Sequence, residues 1–161
     1  MKSVIYSMVR SAPAILFLAI QPWLLAQNNV LSVTPPKKIS GERNGTLAVK
    51  LRVQLRSGYH VNSNTPSEDY LIPIRLTWDA SALEAAGIEY PKPSMESFQF
   101  SRKPLSVFTG DFDIVTKFKI PPKAPVGPAI LTGKLRYQAC NTSLCLPPKT
   151  IDVSIPVDVV K

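Results

Sequence analysis

The sequence predicts an all-β domain, an immunoglobulin-like antiparallel β-sandwich. Apolar residues recur at every second position over several long runs, prolines gather between those runs, and helical periodicity is nearly absent. The clearest run is Thr46 to Leu55, where Leu47, Val49, Leu51, Val53 and Leu55 alternate with polar neighbours and define one buried strand face. Residues 72–78 continue with Ile74, Leu76 and Trp78, and Pro73, which has no N–H to give a ladder, places the start of this run at a sheet edge. Residues 112–120, 129–138 and 150–159 read as three further strands. Only residues 81–86, between Asp79 and Gly87, suggest a helical turn, and a short one.

The chain has 161 residues and 16 prolines, about twice the usual frequency. The prolines fall mostly between the strand runs, at Pro35 and Pro36, Pro91 and Pro93, Pro121 and Pro122, Pro125, Pro128, and Pro147 and Pro148, and act as punctuation. No internal repeat or low-complexity segment interrupts residues 30–159.

The N-terminus carries an address. Lys2 and Arg10 precede an apolar stretch that ends at Ala26, the pattern of a secretory signal with cleavage after Ala26. Leu24 stands where a small residue is usual, and Gln21 and Pro22 interrupt the apolar core, so an uncleaved anchor is the alternative. Residues 27–161 are then expected to form a single domain, exported to a periplasmic or extracellular space, with one core of its own.

The formal net charge is +8, and removing Lys2 and Arg10 leaves about +6. The basic clusters are short, at Lys37 and Lys38 and at Arg102 and Lys103, and no aromatics are interleaved with them. That arrangement argues against a nucleic-acid face and for solubility with weak steering toward acidic partners. Contact with a membrane is expected only through an uncleaved signal or a membrane-bound partner. No phosphate-binding loop, dinucleotide fingerprint or serine nucleophile motif occurs, and one histidine with two cysteines makes at most an incomplete metal site. Neither a cofactor nor a metal is expected. Asp111 and Asp113 flank Phe112 and fit a solvated strand face as well as a site.

The chemistry concentrates in Cys140 and Cys145, the only cysteines, with four residues between them. A bond closing so short a loop constrains the unfolded chain by roughly 2 kcal/mol, against about 4.7 kcal/mol for a loop of a hundred residues. A sole disulfide placed for stability would more often join distant segments. The pair therefore reads either as a fixed loop clip in an exported β-sandwich binding module or as a redox couple alternating between dithiol and disulfide. The strand ending near Gln138 runs into Cys140, and the next begins near Thr150, so the pair is expected exposed at a hairpin end. Pro147 and Pro148 hold the chain extended there and keep Cys145 out of a regular ladder. A free thiol with a pKa near 8.5 is mostly protonated at neutral pH, which makes His60, the only histidine, the candidate for proton handling. A lone histidine is more often structural.

Tyr137-Gln-Ala-Cys140, followed by Cys145-Leu-Pro-Pro148 and preceded by the segments Gly58 to Pro66 and Val107 to Gly110, resembles the N-terminal periplasmic domain of the thiol:disulfide interchange protein DsbD over roughly residues 30–159. The resemblance implies an immunoglobulin-like domain that takes electrons from a thioredoxin-like donor and passes them to periplasmic acceptors such as disulfide isomerases or other oxidoreductases. It implies that Cys145 makes the mixed disulfide and Cys140 resolves it. It also implies a phenylalanine-bearing cap loop, matched by Phe108, and residues near the pair matched by Tyr59, His60 and Asn62. The multi-span and C-terminal thioredoxin-like parts of that family's full-length architecture do not occur in this sequence, so the donor is expected on a separate polypeptide. A periplasmic assembly or metal-delivery accessory is the third reading.

Overall fold

The computed structural model describes residues 29–161, and the expected signal segment lies outside them. Among the described residues, twelve strands form three four-stranded sheets. The first sheet holds β1 (Leu31–Thr34), β3 (Thr46–Leu55), β9 (Phe112–Lys119) and β6 (Glu84–Glu89), in that order. The second holds β2 (Ile39–Glu42), β12 (Lys149–Val160), β10 (Gly127–Tyr137) and β5 (Arg75–Trp78). The third and smallest holds β11 (Ala139–Cys140), β4 (His60–Asn62), β8 (Leu105–Thr109) and β7 (Ser94–Glu96). All pairings are antiparallel except that of β2 with β12. The fold is the expected all-β immunoglobulin-like sandwich.

The period-two runs work as their alternation requires. In β3 every residue from Leu47 to Leu55 at odd positions is buried and every even one is exposed. Those side chains meet Ile114 and Phe118 of β9 and the inward residues of β10 and β12, among them Leu131, Leu135, Ile155 and Val157, in one continuous core. Trp78 joins the layers: its indole lies edge-on to Phe118, centroids 5.1 Å apart, and its Nε1 donates to Thr116 Oγ1 at 2.9 Å. Gly133 lies opposite Trp78 because a Cβ there would stand 2.5 Å from Thr77 O. Pro73 precedes β5, which is an edge strand and begins only at Arg75.

The expected helical turn at residues 81–86 is not formed. Ser81 Oγ accepts from the Leu83 N–H at 3.2 Å, a local serine turn, and the chain then enters β6 at Glu84. Glu84, Ala85 and Ala86, the second half of that segment, sit on a mostly exposed edge strand, with a register irregularity between Ala85 and Gly87. Edge pairing supplied the backbone hydrogen bonds that local propensity would have sought within a helical turn.

The third sheet forms where the chain leaves the large sheets at sharp turns. After β3, Tyr59 N–H donates to Arg56 O at 3.2 Å across a turn with Gly58 at φ 82°, and between β8 and β9 Gly110 stands at φ 63°. A side chain with a Cβ is disfavoured at both angles. β10 and β12 pair up to Tyr137 opposite Lys149, so residues 138–148, with both cysteines, form the connection at the end of this hairpin.

Candidate functional site

Strand parity divides the third sheet into two faces. Val61 pairs with Phe108 on one side and Ala139 on the other, and all three belong to the main core. His60 pairs with Cys140 and with Thr109, so these three share the opposite face. Glu96 of β7, registered with Leu105, shares it as well.

Cys140 and Cys145 are joined by a disulfide. The bond spans a miniature hairpin: Leu146 N–H donates to Ala139 O at 2.8 Å, and Asn141 N–H donates to Leu144 O at 2.9 Å. The cysteines form the opposed pair between those two hydrogen bonds, the position at which antiparallel side chains approach most closely. Asn141 Oδ1 closes the turn by accepting from Ser143 N–H at 2.8 Å and Leu144 N–H at 2.9 Å, and Gln138 Nε2 donates to Leu146 O at 3.1 Å. Backbone and side-chain hydrogen bonds together therefore hold the two cysteines opposite each other.

The pair is not uniformly exposed, contrary to expectation. Cys140 is 1 % exposed, because β11 draws it under the sheet beside His60, whereas Cys145 on the return arm is exposed.

His60 is 3 % exposed, and its Nε2 has no hydrogen-bond partner. The ring of Phe98 stacks on the imidazole with centroids 4.0 Å apart and planes 23° from parallel, and Phe100 stacks on Phe98 at 5.3 Å. Burial pushes the His60 pKa below its ordinary value near 6.5, opposed by the negative charge of Glu96. Beside this stack lies a cavity of about 430 Å³ whose lining includes Tyr59, His60, Glu96, Phe98, Thr109 and Thr142. It connects the disulfide loop, through Thr142, with the segment between β7 and β8, through Phe98.

The sequence-predicted residues separate on this frame. Cys140, Cys145 and His60 come together. Tyr59 walls the cavity and leans on the main core. Asn62 lies on the His60 face, two residues along, but its amide is committed: Nδ2 donates to Ile72 O at 3.1 Å. Phe108 does not sit on a lifted turn over the cysteines. It is a strand residue, 4 % exposed, on the face opposite Cys140, with its ring 4.9 Å from that of Phe112. The one-residue parity between Phe108 and Thr109 decides this.

Phe98 was missed. Its signal was an aromatic pair, Phe98 and Phe100, in a polar segment without strand periodicity, where neither ring had a core face to occupy. Glu96 and Thr142 gave no sequence signal. Asp111, exposed, and Asp113, half-buried, are surface partners of Arg52, with contacts at 3.4 and 3.2 Å. Among the described residues, no group of three or more His, Cys, Asp or Glu side chains is gathered as a metal centre needs. Among the described residues, no helix is long and apolar enough to cross a membrane.

A disulfide between one buried and one exposed cysteine, in a loop that carries its own hydrogen bonds, is suited to exchange in which a partner reaches one side of the pair only. Comparison with solved structures agrees in fold with the N-terminal periplasmic domain of ScsB from Proteus mirabilis, at TM-score 0.55 and 18 % identity, covering 83 % of this chain and 48 % of that one. The chain thus spans about half the length of that structure. A cohesin module from a Clostridium perfringens family 33 glycoside hydrolase aligns over 81 % of this chain and 98 % of its own, at TM-score 0.44 and 10 % identity. No curated protein sequence matches the chain. Residues 27–156 match the family described as thiol:disulfide interchange protein DsbD, N-terminal, and the chain belongs to that family.

Proposed function

We propose that this domain is a periplasmic thiol:disulfide exchange module that receives reducing equivalents from a thioredoxin-like donor on a separate polypeptide and passes them to protein disulfides, acting as a component of a protein-disulfide reductase. The observation that carries the reading is the asymmetry of the pair: Cys140 is buried beside His60, and Cys145 is exposed. Only Cys145 offers a sulfur to an incoming thiolate or disulfide. The Cys145 thiolate attacks a partner disulfide to give a mixed disulfide. Cys140 then attacks Cys145, re-forming the internal bond and releasing the reduced partner. The hydrogen bonds on both sides of the pair keep the resolving thiol in place, so little reorganisation separates the two redox states.

The cap role passes from Phe108 to Phe98. Phe98 lies over His60, and the Cys140 strand is paired directly beside His60, so a docking partner reaches the pair by displacing the Phe98 and Phe100 rings. Acceptors are periplasmic isomerases or oxidoreductases, whose exposed, easily reduced disulfides suit this chemistry.

Trapping tests the order of attack. Cys140→Ser leaves a Cys145 thiolate that captures a partner disulfide and cannot release it, so mixed disulfides accumulate on non-reducing gels of periplasmic extracts. Cys145→Ser accumulates little. Equal trapping by both variants removes the order, and none by either, with the donor present, leaves the bond a structural clip.

A further inference from the structure

His60 is a buried polar group with an open valence in the disulfide state. Its Nε2 is shielded from solvent and has no partner. A buried polar atom left unpaired is costly, and native structures rarely retain one without use. Directly opposed residues of an antiparallel pair place their Cβ atoms about 4.5–5.5 Å apart, and the residue opposed to His60 on β11 is Cys140. While Cys140 is in the disulfide it has no S–H to offer. On reduction it gains one, on the side of the pair that solvent does not reach.

We propose that His60 is the proton partner of Cys140: its Nε2 takes up the hydrogen bond of the Cys140 thiol in the reduced domain and accepts that proton when Cys140 resolves a mixed disulfide. The assignment rests on the exchange reading above and adds to it a role confined to the second step. After Cys145 has displaced one thiolate from a disulfide R–S–S–R, the domain carries Cys145–S–S–R and a Cys140 thiol. Cys140 Sγ attacks Cys145 Sγ, the internal S–S bond forms, and the bond from Cys145 to R breaks with its electron pair on R–S⁻. The Cys140 proton moves to Nε2, and the imidazolium returns it to R–S⁻. The dithiol is oxidised by two electrons, the partner disulfide is reduced by two, and no other reactant enters.

The surroundings suit a neutral base held ready. Phe98 covers one side of the ring and excludes water, and burial favours the neutral imidazole. The groups that face it are few. Glu96 comes from β7, Tyr59 from the turn before β4, Cys140 from β11 and Cys145 from the return arm, while β8 contributes Thr109, which does not titrate. Glu96 is the group whose charge stabilises the transient imidazolium.

Reduced protein mixed rapidly with oxidised glutathione separates the steps. In the Cys140→Ser background, glutathione addition to Cys145 reads the first step; in the parent, release of the second glutathione reads the resolving step. His60→Phe keeps a ring against Phe98 and removes the base. It should leave the first step within about twofold and slow the second by roughly 10- to 100-fold at pH 7, within the span of general acid–base effects. Its resolving rate should climb about tenfold per pH unit toward the thiol's own pKa, where the parent is flat. His60→Tyr, which carries no base at neutral pH, gives the same result if His60→Phe does not fold, with the unfolding midpoint as the check. Equal resolving rates and pH profiles in parent and variant overturn the role of His60 alone. Failure of Cys140→Ser to form any glutathione adduct overturns the exchange reading and this assignment with it.

Discussion

Phe98 lies on His60, ring centroids 4.0 Å apart, and His60 is opposed across the strand pair to Cys140. Phe98 thus covers a histidine that lies beside the buried cysteine, so displacing Phe98 should change the surroundings of the disulfide. Phe108, ten residues on, is on the other side of the same sheet.

Phe98→Ala and Phe108→Ala should therefore behave oppositely. Removing Phe98 opens the approach to the pair and should raise the alkylation rate of the reduced cysteines severalfold with little loss of stability. Removing Phe108 empties a core position and should cost about 3–5 kcal/mol. Alkylation kinetics and urea midpoints on both variants check this. A larger stability loss from Phe98→Ala than from Phe108→Ala would contradict the placement.

Stability should fall on acidification through the histidine range. Burial lowers the His60 pKa in the fold, with Glu96 opposing. Between that lowered value and the ordinary value near 6.5, the unfolded chain binds the proton and the folded domain does not. The contribution of His60 is thus fully present above pH 6.5, declines as pH falls through that window, and levels off below the folded pKa. Urea midpoints should drop between pH 7.5 and pH 5, and His60→Phe should flatten that part of the profile.

Asn141→Ala tests the preformed loop. Its Oδ1 accepts two backbone N–H groups at the turn between the cysteines. Loss of these bonds should cost about 1 kcal/mol of loop order, roughly a fivefold shift of the glutathione equilibrium toward the dithiol, because closing the bond then requires ordering the turn. A redox titration of variant against parent measures it, and no shift would mean that the strand bonds alone hold the sulfurs.

The couple itself should titrate well above the roughly −300 mV typical of structural disulfides. A potential below that, or a bond that resists reduction until the domain unfolds, would mark the pair as a clip.

The alternation of β3, β9, β10 and β12 was legible because every second side chain there meets a core, and the period of two is written directly into residue type. The hairpin position of the cysteines followed from the same strands and from Pro147 and Pro148. The short strands were not legible: β4, β7, β8 and β11 have two to five residues each, too few for a period to show; β4, β8 and β11 have buried residues on both faces, and β7 has none. Residues 81–86 misled because an exposed edge strand has no apolar face to announce it.

By itself the sequence determined the fold class, the proximity of Cys140 to Cys145, and the presence of a single histidine. Only the tertiary structure decided which cysteine is buried, which phenylalanine lies on His60 and what the histidine faces. Those are questions of register between strands distant in sequence: a slip of one residue exchanges the two faces of the third sheet and would put Phe108 where Cys140 and His60 now lie.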